Sequence, residues 1–222
     1  MRAASARGLF RATGNTAKDV PVQLLDGTFA KGEAVREKDD FYPTPPEPTR
    51  ALLASELSRL EAFDGVWEPA AGDGAMVREL QAVGLSVFAS DLIDRGCNAE
   101  IRNFYEYQKP ARPAIVTNPP FAECNADPGW VRHALETLGV DYMALLLPIN
   151  WLGAAGRAAL WGEFPPARVY LMRWRIDFTG QGAPPMLNAW FVWDKQHVGE
   201  TVLRMLDRKD ARQAEMFGDA AA

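Results

Sequence analysis

The run Ala114-Ile115-Val116-Thr117 is apolar and β-branched, and it ends in Asn118-Pro119-Pro120-Phe121. Such a run reads as a buried strand. Two consecutive prolines cannot extend it, because neither has an N–H to give the ladder. The strand is therefore expected to stop at Asn118, leaving the Pro119 carbonyl outside the sheet. A side-chain amide, a carbonyl and an aromatic ring are thereby gathered at the carboxyl end of a strand, the edge where open α/β sheets take their ligands. A planar group carrying an NH2 can donate one hydrogen to the Asn118 side-chain oxygen and the other to the Pro119 carbonyl, with Phe121 stacked on its ring. The plainer alternative is a strand that ends in a proline turn.

The flanking sequence alternates strand and helix signals. Strands are expected at residues 65–67, 85–90, 142–147, 168–174 and 189–193, and a short strand or turn at 101–104, with helices led by Leu53, Leu57 and Leu60, by Met76, Val77 and Leu80, by residues 130–138, and over 151–161. Alternation of this kind predicts an α/β fold, a mostly parallel seven-stranded sheet with helices on both faces and an antiparallel final strand. Residues 200–216 read as a mixed-charge terminal helix, and His133 as ordinary helix surface. Between the first strand and its helix lies Glu68-Pro69-Ala70-Ala71-Gly72-Asp73-Gly74, where Gly72 and Gly74 let a ligand approach the backbone. The spacing matches neither the dinucleotide fingerprint nor a P-loop. Asp91 closes the second strand at an offset that suits a carboxylate binding ribose hydroxyls.

Residues 1–40 differ from the rest. Arg2, Arg7, Arg11 and Lys18 precede the first acidic residue, Asp19. This start reads as a flexible tail, as a basic arm for phosphates, or as a transit peptide; residues 20–30 carry a small hairpin signal around Asp26-Gly27. The division expected is an arm over 1–40, a main domain over 41–198 and a helix with tail over 199–222. The proline-rich stretch 41–48 can only be an extended loop leading into a helix. With 48% hydrophobic residues in 222, the chain can bury one well-packed core. Net charge is −5, which argues against coating nucleic acid by bulk charge. No membrane-length apolar run, disulfide framework or zinc-type His/Cys pair occurs, so no membrane and no metal are expected, and a reducing cytoplasm fits.

Taken in order, Tyr42-Pro43-Thr44-Pro45, the Glu68–Gly74 turn, Asp91, Asn103-Phe104 and Asn118-Pro119-Pro120-Phe121 resemble the amino-methylating DNA methyltransferases. Over residues 41–195 the chain is similar to small S-adenosylmethionine-dependent adenine-N6 enzymes whose cofactor motifs precede the Asn-Pro-Pro-aromatic motif. The resemblance implies a Rossmann-like class I fold and S-adenosyl-L-methionine as cofactor. It implies that Tyr42, Thr44 and Pro45 border the methionine moiety, and that Glu68, Ala70, Gly72 and Gly74 line methionine and ribose. Asp91 would hold the ribose hydroxyls with Leu92 beside the adenine, and Asn103 and Phe104 would meet the adenine amino edge and ring. The family usually has Asp where this chain has Asn103; an amide oxygen still accepts from an NH2. Asn118, Pro119, Pro120 and Phe121 would form the catalytic motif.

Relatives of known site specificity usually carry an extra target-recognition domain, and the hundred or so residues after Asn118 are expected to be used almost entirely in finishing the sheet. Recognition of DNA, duplex or single-stranded, is then expected to be loose, or to come from the arm, from residues 179–185, from Arg168, Arg173 and Arg175 as phosphate contacts, or from a specificity partner or homodimer. The layout resembles phage or mobile-element equipment. Methylation of a protein glutamine or of RNA guanine N2, and a non-catalytic partner subunit, are the alternative readings.

Overall fold

The structure is a computed structural model that describes residues 20–23, 29–32, 43–124, 129–153, 155–178, 186–209 and 211. The chain divides into two units, residues 1–41 and 42–222. In the first, β1 (Val20–Gln23) pairs antiparallel with β2 (Phe29–Gly32), with Val20 opposite Gly32 and Gln23 opposite Phe29. Tyr42, the basic residues before Asp19, and the 179–185 loop lie outside the described residues.

The second unit runs α1 (Pro46–Leu60), β3 (Val66–Glu68), α2 (Ala75–Ala82), β4 (Val87–Asp91), β5 (Glu100–Ile101), β6 (Ala114–Thr117), α3 (Phe121–Cys124) and α4 (Trp130–Arg132). A π-helical turn over His133–Thr137 continues α4. There follow β7 (Tyr142–Pro148), α5 (Ala158–Glu163), β8 (Arg168–Met172), β9 (Asn188–Asp194) and β10 (Val202–Leu206). These eight strands form one sheet in the order β10-β8-β9-β7-β6-β3-β4-β5. Only β9 runs against its neighbours, β7 and β8; the other pairs are parallel.

Alternation along the strands sends side chains to two cores. Val66, Ala114, Val116, Ala144, Leu146, Trp190 and Val192 pack with Leu52, Leu53 and Leu60 of α1. Trp67, Ile115, Met143, Leu145 and Phe191 pack on the other face with Trp130, Val131 and Phe104. The apolar central strands are buried on both faces, as expected for a parallel sheet. Helix α1 starts at two prolines, Pro46 and Pro48, whose missing N–H groups are not needed in a first turn. The indole of Trp190 donates to the Pro48 carbonyl at 2.9 Å and pins that turn to β9.

Three expectations are corrected. Residues 202–206 form a strand where a helix was expected, so the sheet has eight strands and not seven. The edge of β8 offered unpaired backbone groups to this mostly apolar segment, which buries only Leu206 and leaves Val202, Leu203 and Met205 exposed. The expected helix over 151–161 is a pair of 3₁₀ turns, Ile149–Trp151 and Ala155–Arg157, followed by α5. His133 is no plain surface residue. It packs edge-on against Phe104 and Tyr105, and its Nε2 is buried without a partner among the described residues.

Candidate active site

Four adjacent strands, β5, β4, β3 and β6, deliver the expected site residues to their carboxyl ends. Glu68 is the last residue of β3, Asp91 the last of β4, and Asn118 follows β6. A turn of two left-handed glycines, Gly72 at φ +56° and Gly74 at φ +80°, joins β3 to α2. Gly74 must be glycine on two counts, since a Cβ there would also lie 2.8 Å from the Cβ of Cys97. The turn is held by Ala71 N–H on the Ser90 carbonyl (3.0 Å) and Gly74 N–H on the Ala71 carbonyl (2.8 Å).

Glu68 is 1% exposed. Its Oε1 accepts the Ala70 N–H at 3.1 Å and the Thr117 hydroxyl at 2.5 Å, while Oε2 is buried with no partner among the described residues. Burial pushes the carboxyl up to about 8, against the two hydrogen bonds that favour the anion. A buried carboxyl with one free oxygen is built to receive a cationic or hydrogen-donating group. This fits the ammonium of an amino-acid moiety, and with the open glycine backbone it fits S-adenosylmethionine.

Asp91 is set by three donors. Gly72 N–H reaches Oδ2 at 2.8 Å; Ile93 N–H and the Arg95 guanidinium reach Oδ1 at 2.9 and 3.0 Å. A carboxylate has about four acceptor positions, so with Arg95 in place Asp91 has room for one hydroxyl, and a second requires Arg95 to swing aside. Arg95 was not anticipated; its i+4 spacing from Asp91 was the available signal. Leu92 stands beside Asp91 at 64% exposure, free to lie against a ligand.

Asn103 and Phe104 are more committed than expected. The Asn103 side-chain oxygen accepts the Tyr105 N–H at 3.0 Å and caps a 3₁₀ turn over Phe104–Glu106. Phe104 is buried, with Trp130 stacked on it at 3.9 Å. One ring face is thus taken by the core.

Asn118 points to the α1 side. Its Nδ2 donates to the Thr44 hydroxyl at 3.0 Å, which turns Oδ1 the other way; that oxygen is shielded from water and has no partner among the described residues. The carbonyl used by the following turn is that of Pro120, which accepts from the Glu123 and Cys124 N–H groups. Phe121 opens α3 half-buried, and Pro45 lies half-buried before α1. The neighbouring Cys124 thiol is buried and pushed well above its ordinary range by desolvation, so it is no nucleophile.

The arginines separate. Arg173 and Arg175 follow β8 at the carboxyl edge and are exposed, Arg173 with Asp207 at 3.5 Å. Arg168 is misplaced as a phosphate contact. It begins β8 at the opposite, amino edge, where it is bound to Glu56 (2.6 Å) and Asp194 (3.0 Å). Among the described residues no group of His, Cys, Asp and Glu is placed to hold a metal, and no helix is long and apolar enough to cross a membrane.

No family model and no curated protein matches the chain. Solved structures do. A protein of Listeria monocytogenes assigned as a class I S-adenosylmethionine-dependent methyltransferase superposes with a TM-score of 0.51 at 12% identity, over 73% of this chain and 65% of that one. A protein of Pyrococcus horikoshii assigned as an RNA methyltransferase superposes at 0.54 and 16% identity, over 71% of this chain and 88% of that one. The chain thus spans just under two thirds of the Listeria protein. With the sheet order and the single reversed strand, these likenesses show one thing: the chain has the Rossmann-like fold of the class I methyltransferases.

Proposed function

We propose that the protein transfers a methyl group from S-adenosylmethionine to the N6 amine of adenine in DNA, with loose or short-sequence specificity. The observation that carries this reading is the Asn118 amide, held by Thr44 with Oδ1 turned away and unpaired. The order of the motifs around it supports DNA adenine as the acceptor. Bound S-adenosylmethionine supplies a methyl group activated by a sulfonium, so neither a covalent enzyme intermediate nor a metal is needed.

The residues do the rest by placement. Adenine N6 is a poor nucleophile because its lone pair is delocalised into the ring. Asn118 Oδ1 and the Pro119 carbonyl accept its two hydrogens and favour a pyramidal nitrogen, which restores the lone pair for attack on the methyl carbon. As the N–C bond forms, the C–S bond breaks and sulfur keeps the electron pair; the surplus N6 proton leaves along the hydrogen bond at Asn118 or Pro119 to solvent. Glu68 holds the amino-acid end, the glycine turn and Asp91 hold the ribose, and Phe121 stacks on the target base. Acceleration of this kind comes from positioning and fixed dipoles. In duplex DNA the base must first leave the stack at a cost of about a few kcal/mol, of which stacking on Phe121 returns about 1–3 kcal/mol.

The test is methyl transfer to unmethylated duplex and single-stranded DNA, with nucleosides read by mass spectrometry. N6-methyladenine is expected with the wild type and not with Asn118→Ala, which still binds S-adenosylmethionine. Loss of cofactor binding in Asn118→Ala would contradict the assigned role. Methylated RNA or protein without methylated DNA would replace the acceptor, and failure of the wild type to bind the cofactor would sink the enzyme reading.

A further inference from the structure

Asn188 begins β9 at the carboxyl edge of the sheet and is 0% exposed, yet neither Nδ2 nor Oδ1 has a hydrogen-bond partner among the described residues. Buried amides are nearly always paired, and an unpaired one opposes folding. Its placement suggests what the amide is kept for. Trp190 and Val192 face the α1 core, so Asn188, two residues before Trp190, faces the same side. Asn118, two residues beyond Val116, and Pro148, two beyond Leu146, reach that side by the same alternation.

Register fixes the separation. Thr117 pairs with Leu145, Leu146 with Trp190, and Pro148 with Asn188. Asn188 therefore stands two strands from Asn118 and two residues further out, roughly 12 Å between Cα positions at ordinary sheet spacings. The first turn of α1 covers this side through the Trp190–Pro48 bond, and Thr49 in that turn is fully buried with an unpartnered Oγ1. Asn118 Oδ1, the Asn188 amide and Thr49 Oγ1 are thus unpaired polar groups on one side of one sheet edge.

We infer that Asn188 is a second recognition group for the methyl acceptor, its amide hydrogen-bonding the ring edge of the heteroaromatic base whose amine Asn118 holds. This rests on the proposed function. With both N6 hydrogens taken by Asn118 and Pro119, the ring edge of adenine offers acceptor nitrogens, and the Asn188 Nδ2 is the donor that meets one of them. The amide is closed off from water in the free protein, so the acceptor must displace its cover, and the unmade hydrogen bonds favour that exchange. A purely structural asparagine would instead already be paired.

The test uses the full chain, Asn188→Leu and Asn188→Asp, and whichever acceptor the wild type methylates. Asn188→Leu is expected to raise the thermal midpoint, because it removes an unpaired amide at similar volume. It should lower kcat/KM for the acceptor at least 30-fold while KM for S-adenosylmethionine stays within twofold. Asn188→Asp, which keeps the acceptor and loses the donor, should lose at least as much. A lowered midpoint in Asn188→Leu, or kcat/KM within threefold of wild type, overturns the inference while leaving the proposed function standing. A wild type that methylates RNA in place of DNA overturns that function's acceptor, and the same variants then decide the role of Asn188 on the RNA base; one that methylates protein overturns both. If the wild type methylates nothing, both fail.

Discussion

Thr117 donates its hydroxyl to Glu68 Oε1 across 2.5 Å, joining the last residue of β6 to the last residue of β3. Asn118 is the residue after β6, so one buried bond ties the strand that leads to Asn118 to the strand that ends in Glu68. Thr117 was read only as a strand residue; its hydroxyl adds a side-chain bond to the backbone ladder that already pairs β3 with β6.

Glu68 gives the site a pH signature. Its folded carboxyl titrates at about 8, against an ordinary value of 4.5. Between those values the folded protein holds a proton that the unfolded chain has released, so stability falls as pH rises through this window and levels off above about 8. Glu68→Gln does not titrate. Its stability advantage over wild type is expected to grow from pH 5 to pH 8 by a few kcal/mol, read by urea denaturation at each pH. The same variant should bind S-adenosylmethionine at least about tenfold more weakly, as lost pairing with a buried charge implies.

Thr44→Val tests how Asn118 is aimed. Without the hydroxyl that takes Nδ2 at 3.0 Å, the amide is free to rotate and Oδ1 is no longer fixed. We expect kcat to fall about 10- to 100-fold, the range for misplaced catalytic groups, with the dissociation constant for S-adenosylmethionine little changed. Equal loss in cofactor binding would assign Thr44 to the cofactor instead.

Gly74→Ala should be among the most damaging small changes. A φ of +80° strains any side chain, and the Cys97 Cβ stands 2.8 Å from the new atom. A loss of roughly 2–3 kcal/mol is expected from strain plus overpacking. The double variant with Cys97→Gly should recover only the overpacking part, measured by the same urea midpoints.

What could be read in the sequence follows from which forces are local. Runs such as residues 142–147 declare a buried strand by themselves, and Gly72, Gly74 and Pro119-Pro120 declare turns, so the sheet and the turns at its carboxyl edge were legible. Contacts that depend on distant partners were not. Nothing near Arg168 signals that Glu56, 112 positions earlier, will neutralise it. Residues 202–206 are apolar but for Arg204, and the mixed charge of the residues that follow suited a helix; the strand forms because β8 offers a partner edge. Asn103 looked like a ligand contact, though a side chain that accepts from the residue two positions on is a familiar local cap.

Arg168 yields the last prediction, because its position separates stability from function. Its guanidinium is bound to Glu56 and Asp194, and Tyr142 and Tyr170 donate to the same Glu56 carboxylate. Burial opposes the charge on Asp194, but hydrogen bonds from Arg59 and Arg168 hold its carboxyl down at about 2. Arg168→Met strands Glu56, which is 3% exposed, without its cation. A loss of about 3–5 kcal/mol is expected, the usual consequence of breaking one partner out of a buried pair. The part of that loss that Asp194 carries should fade as pH falls from about 4 toward about 2, where its folded carboxyl takes up a proton. DNA affinity and its salt dependence should not change at a temperature where the variant is folded, since the residue sits at the amino edge. Arg173→Gln with Arg175→Gln should do the reverse, sparing stability while reducing the salt slope by about one to two. A DNA-binding defect in folded Arg168→Met would return that arginine to the phosphate-contact role, and an unchanged slope in the double variant would remove Arg173 and Arg175 from it.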